Sequence, residues 1–478
     1  MRERFEHSLD THSVDMTETH SVAVVGAGFS GTILVAHLLR RSRGSLRIYL
    51  INKSGRLARG VAYGTRSSRH VLNVPAGRMS AFAEDESDFL RFAQRRDPGT
   101  VGGTFVPRHL YGDYLEHILL SAQSESARGT VLSHVADEVL SIDELPDEGT
   151  AIVNLAHGAP LAVNRVVIAA GNYAPTPPPL ADTRYLTDSR FIADPWKPKA
   201  LDAVVGDQPV VIIGTGLTMV DVALELAARG HTGGMTAISR RGLLPQPHRH
   251  GTSPPSYGHL PPDLIATAPT ASDYLRAVRR HARKLEREGI DWREVVASLR
   301  PVTPRLWRAL PDAEKSRFLR HLRPYWEVHR HRMAPELWAA LHELVAAGTL
   351  QLVAARLTSV EPAEDSLRVS FRRRERAQSE TLSVSAVINC TGPESDVRRL
   401  KDPLVRDLLS RGLASCDAAG LGIRVDDAYR VIGSTGAPSP VLSLTGPLLK
   451  GEFWEATAVP ELRVHAARLA ERLASELA

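Results

Sequence analysis

The chain has 478 residues, of which 43% are hydrophobic and 24% are charged, enough for about two to four domains with their own cores. Its 59 basic and 54 acidic residues leave a formal net charge of +5, which is small for a protein specialised in binding nucleic acid. The two cysteines, Cys390 and Cys416, are too few for a disulfide scaffold or a cysteine-based zinc site.

The N-terminal residues 1–19 mix both charge signs and contain no apolar run, which predicts a disordered tail rather than a signal peptide. No apolar stretch approaches the ~18 residues that a membrane-spanning helix requires. We therefore expect a cytoplasmic protein that has neither a membrane nor a nucleic acid as its partner.

The first apolar strand runs into a glycine-rich turn and then an apolar helix, which is the setting of a dinucleotide-binding fingerprint. Gly26 permits the tight turn, Gly28 lets the backbone approach a pyrophosphate, and Gly31 allows close packing of helix on strand. Phe29 and Ser30 begin the helix, whose N-terminal N–H groups favour phosphate. The motif predicts a nucleotide site, with a purely structural turn as the alternative.

The next strand ends at Asn52, where the fingerprint has an acidic residue that binds the ribose hydroxyls. An asparagine can still accept a hydrogen bond from a hydroxyl, but without the assistance of a charge. This departure weakens the motif without removing it.

A second copy of the pattern follows at residues 209–241, as strand, turn, helix and strand. Gly214, Gly216, Leu217 and Thr218 form its turn and helix start, and Met219 stands at the third glycine position. A larger residue there is expected to push the helix slightly away from the strand. The repeat predicts a second nucleotide site.

The second strand of this repeat ends in Ser239, Arg240 and Arg241 instead of an acidic residue. Serine and arginine at this position suit a 2′-phosphate, which predicts NADPH rather than NADH. The alternative is that both arginines are solvated. Two dinucleotide sites without a metal motif indicate that a hydride donor, NADPH, reduces a bound flavin.

The chain resembles the bacterial FAD/NAD(P)-binding proteins and is similar in layout to class B flavoprotein monooxygenases, including amino-acid N-hydroxylases. The segments that carry the resemblance are VAVVGAGFSGT, RGVAYGTRSSRHVLNVPAGRMSAF, FVPRHLYGDYL, VVIAAGNYAP, VVIIGTGLTMVD, ISRRGLLP, RPYWEVHRHRMAP, VINCTGPESD and TGPLLKGEFWEATAVPELR.

The resemblance implies an α/β fold of two Rossmann-like domains, with FAD at the first glycine motif and NADPH at the second. The NADPH domain, residues 201–385, is expected to be inserted into an FAD domain made of residues 20–200 and 386–478. A helical insertion rich in arginine and histidine is expected over about residues 255–345.

The resemblance also implies that Leu72–Ser80, called here the flavin loop, lies near the isoalloxazine ring, with an ordinary Pro-Gly loop as the alternative. Candidate cofactor contacts are the residues in or near this loop, two glycines at the domain crossings, and the start of the closing helix. They are His70, Asn73, Val74, Arg78, Met79, Gly171, Gly392, Thr457, Ala458 and Val459.

An oxygenating flavin requires few catalytic side chains, because the protein mainly positions the substrate and excludes water. Candidates for that role are Asn73, Arg108 and His248, and Arg108 is equally interpretable as a structural arginine. We expect no metal site. The absence of a cysteine pair close in sequence excludes the disulfide-reductase branch of this fold.

These features predict an FAD- and NADPH-dependent monooxygenase that hydroxylates a small amine or amino acid, with molecular oxygen as co-substrate. A reductase that passes electrons to another acceptor and a non-catalytic nucleotide-binding regulator are the alternatives. An anionic substrate and a homo-oligomeric state stay open.

Overall fold

The computed structural model describes residues 20–204, 206–249 and 258–477. The predicted tail, residues 1–19, lies outside the described residues. The strands are β1 (His20–Val25), β2 (Leu46–Ile51), β3 (Val131–Val135), β4 (Val139–Leu145), β5 (Thr150–Leu155), β6 (Leu161–Val163), β7 (Arg165–Ile168), β8 (Phe191–Ile192), β9 (Val210–Ile213), β10 (Met235–Ser239), β11 (Leu350–Pro362), β12 (Leu367–Arg373), β13 (Ser379–Val384), β14 (Ala386–Asn389), β15 (Arg430–Ile432) and β16 (Pro438–Leu444).

The helices of the described residues flank these strands and fill one long stretch between β10 and β11. They are α1 (Phe29–Arg41), α2 (Gly60–Tyr63), α3 (Asp88–Arg96), α4 (Arg108–Ser124), α5 (Leu217–Ala228), α6 (Ala271–Arg287), α7 (Trp292–Ser298), α8 (Thr303–Ala309), α9 (Asp312–His321), α10 (Arg323–Arg330), α11 (Pro335–Ala346), α12 (Pro403–Ser410), α13 (Lys450–Phe453) and α14 (Val459–Glu476).

The first sheet has the strand order β15-β16-β7-β1-β2-β3 and is parallel except for the pair of β15 with β16. Its central strand β1 carries Val22, Ala23 and Val24 fully buried, as expected for a parallel strand covered on both faces. Helix α1 packs against α4 and α14. The sheet therefore joins strands from the two ends of the described chain.

The second sheet has the order β13-β12-β11-β10-β9-β14-β8, in which β8 to β11 and β14 are parallel. All of its strands lie in sequence between β7 and β15 of the first sheet. A small antiparallel sheet, β4-β5-β6, completes the α/β architecture. The predicted fold class is confirmed, whereas the exact domain limits stay a prediction.

The segment between β10 and β11 contains helices α6 to α11, in agreement with its predicted helical periodicity. The first of these helices, α6, is capped at its N-terminus, because the Thr270 side chain accepts a hydrogen bond from the backbone N–H of Asp273. Trp307 of α8 stacks on Trp454, with ring centroids 4.6 Å apart, and attaches this helical insertion to the C-terminal part of the chain. No helix among the described ranges is long and apolar enough to cross a membrane.

Candidate functional site

The first glycine turn has a backbone that only glycine accommodates. Gly26 has φ +114°, and a Cβ built on it would lie 2.4 Å from the carbonyl oxygen of Ala169. A Cβ on Gly31 would lie 1.8 Å from the carbonyl oxygen of Gly26. These contacts are far below normal van der Waals separation, so the turn, the helix and the adjacent strand end are held in direct backbone contact.

The carboxyl ends of β1, β7 and β16 meet around this turn. A Cβ on Gly60, at the start of α2, would approach the Cα of Gly28 to 3.3 Å, and one on Gly446 would lie 3.3 Å from the Oγ of Ser30. The backbone N–H of Thr445 donates to the carbonyl of Ile168 at 2.9 Å. The carboxyl edge of a parallel sheet is where such folds bind ligands, so this cradle fits the pyrophosphate of a dinucleotide.

Two further residues predicted at the first site have different surroundings. Phe29 begins α1 but is buried, and its ring is stacked on Tyr111 with centroids 6.3 Å apart. Gly171 follows the contact residue Ala169, and a Cβ built on it would meet no atom within 4 Å. Phe29 therefore contributes packing and its backbone, while Gly171 borders open space beside the turn.

Asn52 follows β2, where a ribose-binding acid is usual. Its side-chain amide donates to the carbonyl of Arg56 at 2.8 Å, and its Oδ1 lies 3.4 Å from the Nε2 of His134. The side chain therefore stabilises the turn after β2. The Oδ1 atom of Asn52 has a second lone pair that could accept a hydrogen bond from a ribose hydroxyl.

The flavin loop is clamped by backbone hydrogen bonds rather than left open. The N–H groups of Leu72, Ala76 and Gly77 donate to the carbonyls of Val106, Thr104 and Gly102, each at 2.9 Å. Arg463 of α14 donates to the carbonyl of Ser80 at 3.1 Å. The loop is thus rigidly held on both sides.

The side chains of this loop divide between the core and its polar side. Met79 is buried, and Val74 is half-buried against the same core. Arg78 ends the 3₁₀ turn Ala76–Arg78. Of the predicted contacts in this loop, Val74 and Met79 therefore pack into the core, whereas Asn73 and Arg78 are half-buried.

His248, in the segment that follows β10, contacts the flavin loop. Its Nε2 donates to the carbonyl oxygen of Asn73 at 2.9 Å, and its ring lies against Phe105. Burial, followed by the charge of Arg332, lowers the pKa of His248 to about 3. The ring is therefore neutral, and because Nε2 carries the proton, Nδ1 is a hydrogen-bond acceptor. Asn73 contributes its backbone carbonyl to this contact.

Arg108 and His70 lie where the first sheet's elements meet α5. The Nη2 of Arg108 binds the Oδ2 of Asp221 at 2.7 Å, and its Nε donates to the carbonyl of Val71 at 3.0 Å. The Nε2 of His70 lies 3.8 Å from a carboxylate oxygen of Glu225. Both side chains are engaged between the two halves of the structure, and their predicted contacts with substrate or cofactor stay predictions.

The second glycine turn repeats the geometry of the first. Gly214 has φ +111°, and a Cβ on it would lie 2.4 Å from the carbonyl oxygen of Cys390. A Cβ on Gly216 would meet nothing within 4 Å. Leu217 and Thr218 begin α5, and Met219 is fully buried in the core of the second sheet. The space beside Gly216 is thus open for a ligand, although Met219 stands at the position of the third glycine.

Arg240 lines an open cleft of about 480 Å³ at the carboxyl end of β10. Ser239 instead shares a hydrogen bond with Thr215 at 2.9 Å, and Arg241 donates to the hydroxyl of Tyr325 at 3.1 Å. Of the three predicted residues, Arg240 alone faces the cleft. Further arginines, called here the hairpin arginines, line it from β11, β12 and the turn between β12 and β13: Arg356, Arg372, Arg373, Arg374 and Arg376.

The remaining predicted cofactor residues lie at strand and helix ends. Gly392 follows β14 with φ +85°, and a Cβ on it would meet no atom within 4 Å. Thr457 and Ala458 precede α14, which begins at Val459. The expected helix N-terminus is therefore present. Within the described part of the chain, no group of three or more His, Cys, Asp or Glu side chains is arranged to hold a metal ion.

Several residues of the site were not singled out from the sequence. The hairpin arginines occur as ordinary alternation in a polar strand, and Asp221 and Glu225 sit in a helix that reads as apolar. Gly60 does carry a signal, because it lies in the segment RGVAYG that contributed to the family resemblance.

The comparisons with known proteins agree with this geometry. Residues 23–173, which hold the first glycine turn and the flavin loop, match the family model described as FAD-NAD(P)-binding. The match confirms the predicted family resemblance and implies FAD and NAD(P) as cofactors. No curated protein sequence matches the chain.

Solved structures match nearly the whole chain at low sequence identity. The ornithine hydroxylase of Pseudomonas aeruginosa gives a TM-score of 0.62 at 16% identity, covering 96% of this chain and 100% of its own. The ornithine N-hydroxylase of Kutzneria sp. 744, solved with reduced FAD, NADP⁺ and L-ornithine, gives 0.61 at 17%, covering 96% and 100%. The L-lysine 6-monooxygenase of Pseudomonas syringae gives 0.63 at 17%, covering 95% and 98%. These likenesses establish the shared fold.

Proposed function

We propose that the chain, whose residues 23–173 match the FAD-NAD(P)-binding family model, is an FAD- and NADPH-dependent monooxygenase that hydroxylates the nitrogen of a small amine or amino acid. The observation that carries the proposal is the repeated cradle. Gly26 against Ala169 and Gly214 against Cys390 form two equivalent turns at the carboxyl ends of two parallel sheets. Two such cradles suit a flavin nucleotide and its nicotinamide reductant.

The residues of the first cradle would hold FAD. The backbone at Gly26–Gly31 and the N-terminus of α1 would bind its pyrophosphate, and the clamped flavin loop would cover its ring. Bound FAD supplies hydride acceptance from NADPH and activation of oxygen. The N-terminus of α14, beginning at Val459, would stabilise negative charge at the ring.

The second cradle would hold NADPH. The N-terminus of α5 would bind the pyrophosphate, and Arg240 with the hairpin arginines would bind the 2′-phosphate. A cleft lined by so many cations favours a phosphate-bearing cofactor over NADH.

His248 is the side chain best positioned to contact substrate near the flavin loop. Its neutral ring presents the Nδ1 lone pair, which could accept a hydrogen bond from a substrate N–H. The bond from Nε2 to the carbonyl of Asn73 fixes the orientation of the ring. Arg108 would act as a positioning residue, because its guanidinium is already bound to Asp221.

The test is purification followed by an oxygen-uptake screen. We expect a yellow protein that consumes oxygen and NADPH faster when the correct amine or amino acid is added, with little release of hydrogen peroxide. A colourless protein that takes up no FAD would reject the proposal. A yellow protein that oxidises NADPH only with an artificial acceptor would instead favour the reductase alternative.

Cys390 and Cys416 bear on which reductase that alternative could be. Both cysteines are free, and burial raises the pKa of the Cys390 thiol well above its ordinary value. Such a thiol is a poor nucleophile, and Cys416, the one other cysteine of the chain, is not bonded to it. Electron transfer to a dithiol within the chain is therefore not a candidate.

A further inference from the structure

Arg332 is a buried cation for which the described residues supply no counter-ion. It follows α10, only 9% of its surface is exposed, and its Nε has no hydrogen-bond partner among the residues that the structure describes. No carboxylate of the described residues pairs with its guanidinium. Arginine is almost never buried unless it is paired, because removing an uncompensated charge from water costs several kcal/mol.

The groups around Arg332 add positive charge instead of neutralising it. Burial, and then the charges of Arg330, Arg293 and Arg78, lower the pKa of Arg332 to about 10. Asp291 opposes this effect, but its carboxylate already binds the Nη1 of Arg293 at 3.1 Å.

Arg330 does have a protein counter-ion. Its Nη2 lies 2.8 Å from a carboxylate oxygen of the buried Glu455. Arg332 is therefore the arginine of this group whose charge the described residues leave without a direct partner.

The group lies beside the flavin loop. Met333, the next residue after Arg332, exchanges backbone hydrogen bonds with Gln246 and His248 at 3.0 and 2.9 Å. Arg293 donates to the carbonyl of Pro247 at 2.9 Å, on the same strip of chain. His248 in turn contacts Asn73 of the flavin loop and feels the charge of Arg332. An anion bound to Arg332 would thus lie next to the candidate reaction site.

We propose that Arg332 binds a carboxylate group of the molecule that the enzyme oxidises. This inference rests on the proposed function and narrows its substrate class to compounds that carry a carboxylate, so that simple diamines are excluded. A guanidinium offers a planar pair of donors that matches a carboxylate. The charge of Arg332, which is uncompensated while the site is empty, would be neutralised when the carboxylate binds. Arg293 and Arg78 supply the surrounding positive potential.

Phosphate would satisfy the same chemistry, either as inorganic phosphate or as part of NADPH. The experiment separates these sources by isothermal titration calorimetry on the FAD-loaded protein. The probes are succinate, its neutral isostere succinamide, inorganic phosphate and NADP⁺. The variants are Arg332→Gln and Arg332→Lys, and Arg320→Gln, an exposed arginine of the same insertion, is the matched control.

We expect wild type and Arg320→Gln to bind succinate but not succinamide, and Arg332→Gln to bind succinate roughly tenfold or more weakly. Arg332→Lys should retain part of the affinity, and binding of NADP⁺ should be unchanged in every variant. The melting temperature of Arg332→Gln should equal or exceed that of wild type, because the substitution removes an uncompensated buried charge. If Arg332 had only a structural role, the substitution would lower the melting temperature.

Failure to bind succinate in wild type, or undiminished binding in Arg332→Gln, would overturn the inference. So would an Arg332→Gln variant that loses phosphate or NADP⁺ but keeps succinate. Arg332-dependent binding of succinate by a protein that never consumes oxygen would reject the proposed function and support the carboxylate site. The two proposals therefore fail separately.

Discussion

The guanidinium of Arg108 and the carboxylate of Asp221 form an ion pair of 2.7 Å in which both side chains are largely buried. Arg108 begins α4, which packs on the first sheet's helices, and Asp221 lies in α5 of the second glycine motif. The ring of Trp196 covers the guanidinium at 5.6 Å. One desolvated pair thus connects the two nucleotide cradles.

Removing either partner of this pair should strongly destabilise the protein. Arg108→Gln or Asp221→Asn leaves one buried charge uncompensated, and we expect each to lower the free energy of unfolding by about 3 kcal/mol, measured by urea denaturation. Arg184→Gln, which breaks the exposed pair with Asp182, should cost less than about 1 kcal/mol. Equal effects of Arg108→Gln and Arg184→Gln would contradict the buried role.

Cofactor preference should depend on Arg240 more than on its neighbour. Arg240→Ala removes a cation from the cleft at the end of β10, so the KM for NADPH should rise by about tenfold while the KM for NADH changes little. Arg241→Ala is the matched control, because Arg241 binds Tyr325 outside the cleft. Steady-state kinetics with both cofactors give the comparison. A similar rise for NADH in Arg240→Ala would remove the 2′-phosphate role.

Binding of FAD should be lost when Gly31 gains a methyl group. Gly31→Ala places a Cβ at 1.8 Å from the carbonyl oxygen of Gly26, so the helix must move away from the turn. We expect purified Gly31→Ala to contain little FAD by its visible absorbance. Gly44→Ala, where a Cβ would meet nothing within 4 Å, should retain wild-type content. Full occupancy in Gly31→Ala would show that the cradle is not the FAD site.

Stability should fall in acid through His37. The Nη1 of Arg41 donates to its Nδ1 at 2.7 Å, its side chain is 1% exposed, and burial followed by Arg41 lowers its pKa from 6.5 to about 4. The unfolded state therefore binds the proton more tightly. The contribution of His37 is complete above pH 6.5 and is lost as the pH falls towards about 4, by roughly 3 kcal/mol.

Denaturation curves from about pH 7.5 to about pH 4.5 measure this loss. The His37→Gln variant should show a flatter decline in the free energy of unfolding than wild type. His134→Gln, at an exposed position of β3, should follow the wild-type profile. Superimposable curves for wild type and His37→Gln would refute the assignment.

The sequence was sufficient for the features that are local in the chain. Both glycine turns and their helices were predicted because Gly26 and Gly214 act on neighbours within one strand-turn-helix unit. The α/β class and the helical stretch before β11 follow from the same kind of periodicity. Here local patterns and tertiary structure agree.

Contacts between side chains that are far apart in the chain could not be predicted from the sequence. Arg108 had a candidate substrate role because nothing near it in sequence reveals Asp221, which lies 113 positions away. The hairpin arginines around Arg240 resemble a solvated strand until β11 and β12 bring them to the end of β10. Arg332 likewise belongs to the arginine- and histidine-rich insertion, and its burial distinguishes it from exposed arginines of that insertion such as Arg320.

The pairing of β16 with β7 has a consequence for biosynthesis. Leu442 of β16 aligns with Val166 of β7, and the whole second sheet is encoded between them. On the ribosome, all strands of the second sheet are therefore available while the first sheet still lacks the inner strand β16. The second glycine turn and its contact residue Cys390 are synthesised before Gly446, which borders the first glycine turn.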